Sequence, residues 1–380
     1  MYRTQTQRYL LPVLLLAALL GGCDWRPPEP GIGEPVVWEE LPGWENDRHA
    51  EAWPALLQQC RVMPKKRAVW QGICARAKAL GTADDAAARH FFEQEFAAYR
   101  VNPSGSQGRG LVTGYYEPVL QGSLHPTERF RHAVYRRPDD LIRVELDAVY
   151  PELEGKRVRG RLEGQRLVPY YTREAIDDGA GPLVGQELLW VDDPIALFFL
   201  HVQGSGRIRL SDGRLVAVGY ADQNGRPYTS IGRLLVERGE ITKERVSLFT
   251  IRDWLSSHPE QAPAVLASNQ SYVFFRMRDN AEDNAVGSLN VPLTPARSIA
   301  VDPSTIALGS PVWLDTTYPG EDGRPLRRLA MAQDTGGAIK GYARADLFWG
   351  NGAEAERRAG EMKQDARLYV LLPRERLPAE

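Results

Sequence analysis

The spacing of apolar residues changes three times along the chain. Tyr9 to Leu20 is an apolar stretch, preceded by Arg3 and Arg8 and too short to span a bilayer comfortably. Between Ala52 and Phe96 the spacing is helical, and helices are expected over Ala52–Cys60 and Lys66–Leu80. Thr82 with Asp85 three residues later predicts a capping-box start. The helix it opens, Ala86–Phe96, repeats Ala88, Phe92 and Phe96 every four residues on one face. Asn102-Pro103 and the polar, glycine-rich Ser104–Gly110 end this region. Beyond it, short runs of Val, Leu, Tyr and Phe are separated at close intervals by Gly, Pro, Asn and Asp, a strand texture. Arg207–Leu210 and Leu215–Val218 across Ser211-Asp212-Gly213 predict a hairpin, and Arg367–Leu372 a last strand. Helices interrupt near Tyr228–Arg238 and Ala353–Met362. The pattern predicts a mainly β chain with N-terminal helices, of the barrel or sandwich kind rather than alternating βαβ units.

The first apolar stretch reads as an address. It ends in Leu20-Gly21-Gly22-Cys23, which resembles a bacterial lipobox; residues 1–22 are then a lipoprotein signal peptide and Cys23 the acylated N-terminus. An ordinary signal peptide with a nearby cysteine is the alternative. Residues 23–37, with Pro27, Pro28, Pro30, Gly31, Gly33 and Pro35, read as a tether unsuited to helix or ladder. The expected location is periplasmic and lipid-anchored, at the outer membrane, although Asp24 after Cys23 favours the inner membrane in some bacteria. The remainder is long enough for two domains. The chain is 43% hydrophobic and 25% charged, with a net charge of −2 that moves to near −4 once Arg3 and Arg8 are removed. No basic excess marks a nucleic-acid binder. Besides Cys23 there are only Cys60 and Cys74. In an oxidising compartment such a pair is usually a disulfide; two buried free thiols are the alternative. Neither cysteine has a neighbour at metal-ligand spacing, and no metal or other cofactor is expected.

The six histidines form no His-Glu-x-x-His pair, and no Gly-x-Ser-x-Gly elbow or phosphate-binding loop occurs. Metallohydrolase, serine hydrolase and nucleotide chemistry are disfavoured. Three other segments carry candidate chemistry. Asp334-Thr335-Gly336-Gly337-Ala338-Ile339-Lys340-Gly341 is a glycine-rich loop, and Asp346 follows it directly ahead of Leu347, Phe348 and Trp349. Carboxyls set against apolar surface keep their protons, as a general acid requires. A plain turn with surface aspartates would also account for this composition. Asp302 before Pro303 is a natural turn residue with strand on both sides. Thr113-Gly114-Tyr115-Tyr116-Glu117-Pro118 stands where helical texture gives way to β.

Together with His201-Val-Gln-Gly-Ser-Gly206, Ser230-Ile-Gly232 and Asn269-Gln-Ser-Tyr-Val-Phe-Phe275, these segments resemble the membrane-bound lytic murein transglycosylase A family. The resemblance covers roughly Leu111 to Leu372, and from about Asn290 it resembles the "3D" domain, named for three aspartates, here Asp302, Asp334 and Asp346. It implies a double-psi β-barrel domain built from both chain ends (38–118 and 267–380), with a small β-barrel inserted at 119–266 and the glycan in the groove between them. It implies a lytic exotransglycosylase that breaks the β-1,4 bond between N-acetylmuramic acid and N-acetylglucosamine without water, leaving a 1,6-anhydro end. Position by position, the acid falls on Asp346, with Asp334 its neighbour and Asp302 in support. The spacer Tyr342-Ala343-Arg344-Ala345 is a residue longer than the family pattern, which keeps Asp334 open as the acid. Glycan contacts are implied at Thr113, Tyr115, Tyr116, Gln203, Ser205, Gly336, Gly337 and Lys340. The implied partners are peptidoglycan strands, the membrane through its lipid anchor, and cell-wall synthesis enzymes. Two alternatives remain: a wall-binding double-psi module without catalysis, and a hydrolytic muramidase using Asp334 as base.

Overall fold

The structure, a computed structural model, describes residues 29–103, 109–153, 156–178, 183–279 and 284–374. The signal segment and Cys23 lie outside the described residues. In chain order the strands are β1 (Gly31–Val36), β2 (Phe96–Asn102), β3 (Gly110–Glu117), β4 (Val119–Ser123), β5 (His132–Tyr135), β6 (Ile142–Arg143), β7 (Arg159–Glu163), β8 (Arg166–Pro169), β9 (Glu187–Val191), β10 (Ser205–Leu210), β11 (Leu215–Gln223), β12 (Val273–Arg278), β13 (Ser298–Val301), β14 (Pro311–Thr317), β15 (Pro325–Asp334), β16 (Arg344–Asn351) and β17 (Lys363–Pro373). The mainly β expectation holds. Where two barrels were expected, the pairings give an eight-stranded sheet from both chain ends, in the order β1-β2-β17-β14-β15-β13-β16-β3, and a six-stranded sheet, β12-β11-β10-β4-β9-β5. β3 also pairs with β17. A small third sheet, β6-β7-β8, belongs to the insertion.

Two boundaries differ from the sequence reading. Gly31–Val36, assigned to the tether, forms β1, antiparallel to β2. It is an edge strand, where proline's missing N–H is tolerated. β12 pairs with β11, so the insertion runs past residue 266 to Arg278. Its apolar Val273, Phe274 and Phe275 suit either sheet, and composition could not assign them.

The helical segment docks on the large sheet. Its helices span Trp53–Gln59, Met63–Lys66, Val69–Leu80 and Asp85–Glu95. The expected Lys66–Leu80 helix begins later because Arg67 is extended (φ −148°, ψ 121°). The cap of the last helix is Asp84, whose carboxylate accepts the Ala87 N–H at 2.8 Å, rather than Thr82. Cys60 and Cys74 form a disulfide, with Cα atoms 5.4 Å apart, which decides between the two readings of the pair. Trp44, Leu56, Trp70 and Phe92 pack on Trp313, Met331 and Tyr369 of the sheet. Buried Arg297 ties the layers together, donating from Nη1 and Nη2 to the two Asp47 oxygens at 2.7 and 2.9 Å.

The predicted β10–β11 hairpin is present, with Ile208 opposite Val216. Pro194–Gln203, Ile231–Glu237, Leu248–Ser257 and Ala262–Ala267 form a helical group around Phe198, Leu235, Trp254 and Val265. Of these, only Ile231–Glu237 was expected. Glu117, fully buried where β3 leads into the insertion, accepts from Arg207 and Arg278, which stand on inserted strands.

Candidate active site

Four adjacent strands bring the chemistry to one level. Ala300 of β13 is opposite Asp334 on one side and Asp346 on the other, and Asp346 is in turn opposite Thr113 of β3. Neighbouring strands lie about 4.8 Å apart, so the backbones of the two aspartates are separated by only about 10 Å. Side chains two residues apart share a face. Tyr115 and Phe348 therefore stand beside Thr113 and Asp346, with ring centroids 5.2 Å apart. With Leu293, Ala300 and Ile339 they form a small apolar cluster at the carboxyls.

Asp346 is bound through one oxygen. Thr113 Oγ1 donates to its Oδ1 at 2.6 Å, while Arg344 Nη2 donates to the same Thr113 oxygen at 2.8 Å. Guanidinium cannot accept, so the threonine proton has only the carboxyl to go to. Oδ1 is thereby fixed as an acceptor, and an acidic proton on Asp346 belongs on Oδ2. Among the described residues Oδ2 has no hydrogen-bond partner. Burial raises the Asp346 pKa above the usual carboxylate value, and the Asp334 charge adds to this, against Arg344 and Thr113.

Asp334 is saturated by comparison. Its Oδ1 accepts from Ser288 N–H (2.8 Å), Ser288 Oγ (2.9 Å) and Thr335 N–H (2.8 Å), and its Oδ2 from the Tyr115 hydroxyl (3.1 Å). Burial still lifts its pKa against these donors. Burial and the two carboxylates push Tyr115 well up, so its hydroxyl remains a donor. Asp302 holds the loop rather than facing the pair: its Oδ2 accepts Gly341 N–H at 2.8 Å and its Oδ1 the Ser304 hydroxyl at 2.8 Å. Burial works against its charge, but those donors and Lys340 outweigh it and lower the pKa. Gly341 itself has φ +90°, a conformation that glycine takes without strain.

The other expected contacts divide. Thr113 and Tyr115 reach the carboxyls. Tyr116 points to the opposite face, where its hydroxyl donates to Glu356 at 3.1 Å and its N–H to Gln203 Oε1 at 3.1 Å. Gln203 thus joins the insertion to β3, and Ser205 sits half-buried at the head of β10. Gly336 is half-buried and Gly337 exposed in the loop, while the Lys340 ammonium lies 4.0 Å from Asp302. Trp349 does not face the acids. Its indole N–H meets Met362 sulfur at 3.3 Å, and Gly114 leaves room for it, since a Cβ there would come within 2.8 Å of the ring. Sequence reasoning missed Arg344, Ser288 and two inserted residues. Arg157 Nη2 donates to Thr335 Oγ1 at 3.0 Å, and Tyr228 is near enough to feel the Asp346 charge. An arginine between Ala343 and Ala345 was the one local signal available. A cavity of about 840 Å³ on the insertion, lined by Arg173, Asp177 and Trp190 among others, contains none of the three aspartates. The candidate site therefore rests on the carboxyl geometry and not on cavity size.

Known proteins resemble this chain over most of its length. Residues 111–276 match the MltA specific insert domain and residues 297–372 the 3D domain. The membrane-bound lytic murein transglycosylase A of Vibrio cholerae serotype O1 is 31% identical over 280 residues, 72% of this chain and 68% of that protein. The crystal structure of membrane-bound lytic murein transglycosylase from Agrobacterium tumefaciens superposes with a TM-score of 0.79 at 33% identity, covering 91% of this chain and 98% of that one. Escherichia coli MltA with bound chitohexaose gives 0.65 at 26% identity, over 86% and 90%. The chain belongs to the membrane-bound lytic murein transglycosylase A family.

Proposed function

We propose that this protein is a peptidoglycan lytic transglycosylase in which Asp346 is the single general acid and base. The observation that carries the reading is the Asp346 carboxyl itself: raised in pKa, held through Oδ1 by Thr113, with Oδ2 left for the substrate. Oδ2 gives its proton to the glycosidic oxygen between N-acetylmuramic acid and N-acetylglucosamine as the C1–O bond breaks. Positive charge develops at C1, and the ionised Asp346 and nearby Asp334 face it. The muramyl C6 hydroxyl then bonds to C1 and its proton passes to Asp346. No water is consumed and the acid is restored. A hydroxyl already attached to the ring needs orientation more than activation.

Asp334 suits a supporting part. Four donors occupy its oxygens, leaving it poorly placed to activate water, and this disfavours the hydrolytic muramidase. We read the large sheet as a double-psi β-barrel, supported by the pairing of β3 with both β16 and β17, and the six-stranded sheet as the smaller barrel. The same reading places the protein in the periplasm, anchored through acylated Cys23 to the outer membrane. A chitohexaose-bound relative supports a glycan as the ligand. Asp346→Asn tests the assignment. It is expected to abolish turnover of purified strands while retaining their binding, and Asp334→Asn to reduce turnover. Full activity in Asp346→Asn would move the acid to Asp334. Binding without turnover in the wild type would leave a wall-binding module.

A further inference from the structure

The inserted wall carries more positive charge than it neutralises. Asp222, fully buried on β11, accepts from three guanidiniums: Arg143 Nε at 2.7 Å, Arg159 Nε at 2.9 Å and Arg137 Nε at 3.3 Å. One carboxylate cannot balance three cations. The other acid acting on Arg143 is the exposed Glu145, whose charge water screens. The side chains of Arg137 and Arg143 are 38% and 48% exposed, open enough to meet a ligand. Arg157 extends the set toward the acids. Its guanidinium lies 6.0 Å from the Tyr220 ring centroid and donates to Thr335, whose own N–H donates to Asp334. Tyr220, two residues before Asp222, is half-buried and offers a ring face beside these cations.

Neutral amino sugars bring no charge to balance this excess of guanidiniums. A carboxylate does: its two oxygens match the guanidinium fork, and charge assistance strengthens each bond. Clustered like charges in a cleft also raise the local concentration of an oppositely charged ligand. Building on the transglycosylase reading, we propose that Arg143, Arg157 and Tyr220 form a subsite for carboxylates borne by the glycan strand, so that acidic strands are bound in preference to neutral ones. The carboxylate comes from the lactyl group of the muramyl residue or from its peptide stem.

Binding of three probes separates these cases: peptide-bearing strand fragments, the same fragments stripped of peptide by an amidase, and uncharged chitohexaose. Arg143→Gln/Arg157→Gln is expected to weaken acidic fragments on the order of tenfold, as loss of two partly exposed charge contacts would. Their salt dependence should flatten, and chitohexaose affinity should stay within about twofold. Loss for peptide-bearing fragments alone assigns the stem, loss for stripped fragments alone assigns the lactyl carboxylate, which is an amide until the amidase frees it, and loss for both means that either carboxylate fills the subsite. Because Arg143 also holds Asp222, Arg157→Gln alone provides a variant outside that cluster, expected to show a smaller loss in the same direction. Equal weakening of chitohexaose, or unchanged binding of both acidic probes, would overturn the proposal. The transglycosylase reading fails separately, if the wild type binds strands but cleaves none.

Discussion

Asp346 and Asp334 both have raised pKa values, with burial the first cause in each, yet their surroundings differ. Four donors fix Asp334, whereas one threonine hydroxyl holds Asp346 and leaves it an oxygen to use. A raised carboxyl also costs stability. Between the unfolded and folded values the native state binds more protons than the unfolded chain, so stability falls as pH rises through that window. Asn can accept the Thr113 hydrogen bond without carrying a charge. Asp346→Asn is therefore expected to melt above the wild type at neutral pH, with the difference closing below about pH 4, where unfolded carboxyls protonate as well. Thermal melts at both pH values check this; a variant less stable than wild type at neutral pH would contradict the buried-charge account.

At the scale of elements, the sheet that carries the aspartates rests on the helical layer, and two fasteners hold that layer. Asp47→Ala leaves Arg297, 2% exposed, without its bidentate partner. Glu51 still accepts from Arg297 Nη2 at 2.9 Å, so denaturant unfolding should show a loss of about 2–3 kcal/mol, short of the cost of stranding a buried charge outright. Opening the Cys60–Cys74 loop by a double serine substitution should cost about 3 kcal/mol. Equal midpoints for oxidised and reduced protein would refute that figure. The N-terminal helices were legible because Ala88 and Phe92 recur at one-turn spacing on a half-buried face. Pro194–Gln203 was not. Leu197, Phe198, Phe199 and Leu200 are all buried, so the helix presents apolar residues all round and no periodic signal. β1 was hidden for a different reason, as edge pairing tolerates the prolines and glycines that argued for a tether. In the site, the three aspartates and Thr113 were legible through their motifs. Ser288 and Arg157 reach it from distant segments with no signature of their own, and Tyr116 was misplaced because two consecutive strand residues cannot share a face.

For the whole molecule, the insertion matters because Asp346 stands on the large sheet while Arg157 and Tyr228 approach from the other part. Buried Glu117 pins the crossover between them through Arg207 and Arg278. The same scale includes the proposed lipid anchor. Cys23→Ser is expected to release the protein from membranes, checked by fractionation after a salt wash; persistent membrane association would refute acylation at Cys23. The central claim concerns what closes on C1 after Asp346 gives up its proton. Mass spectrometry of the fragments released from purified peptidoglycan reads this directly. Intramolecular capture by the C6 hydroxyl predicts muramyl ends one water lighter than a hydrolysis product and resistant to borohydride reduction, whereas reducing ends at the full hydrolytic mass would contradict it.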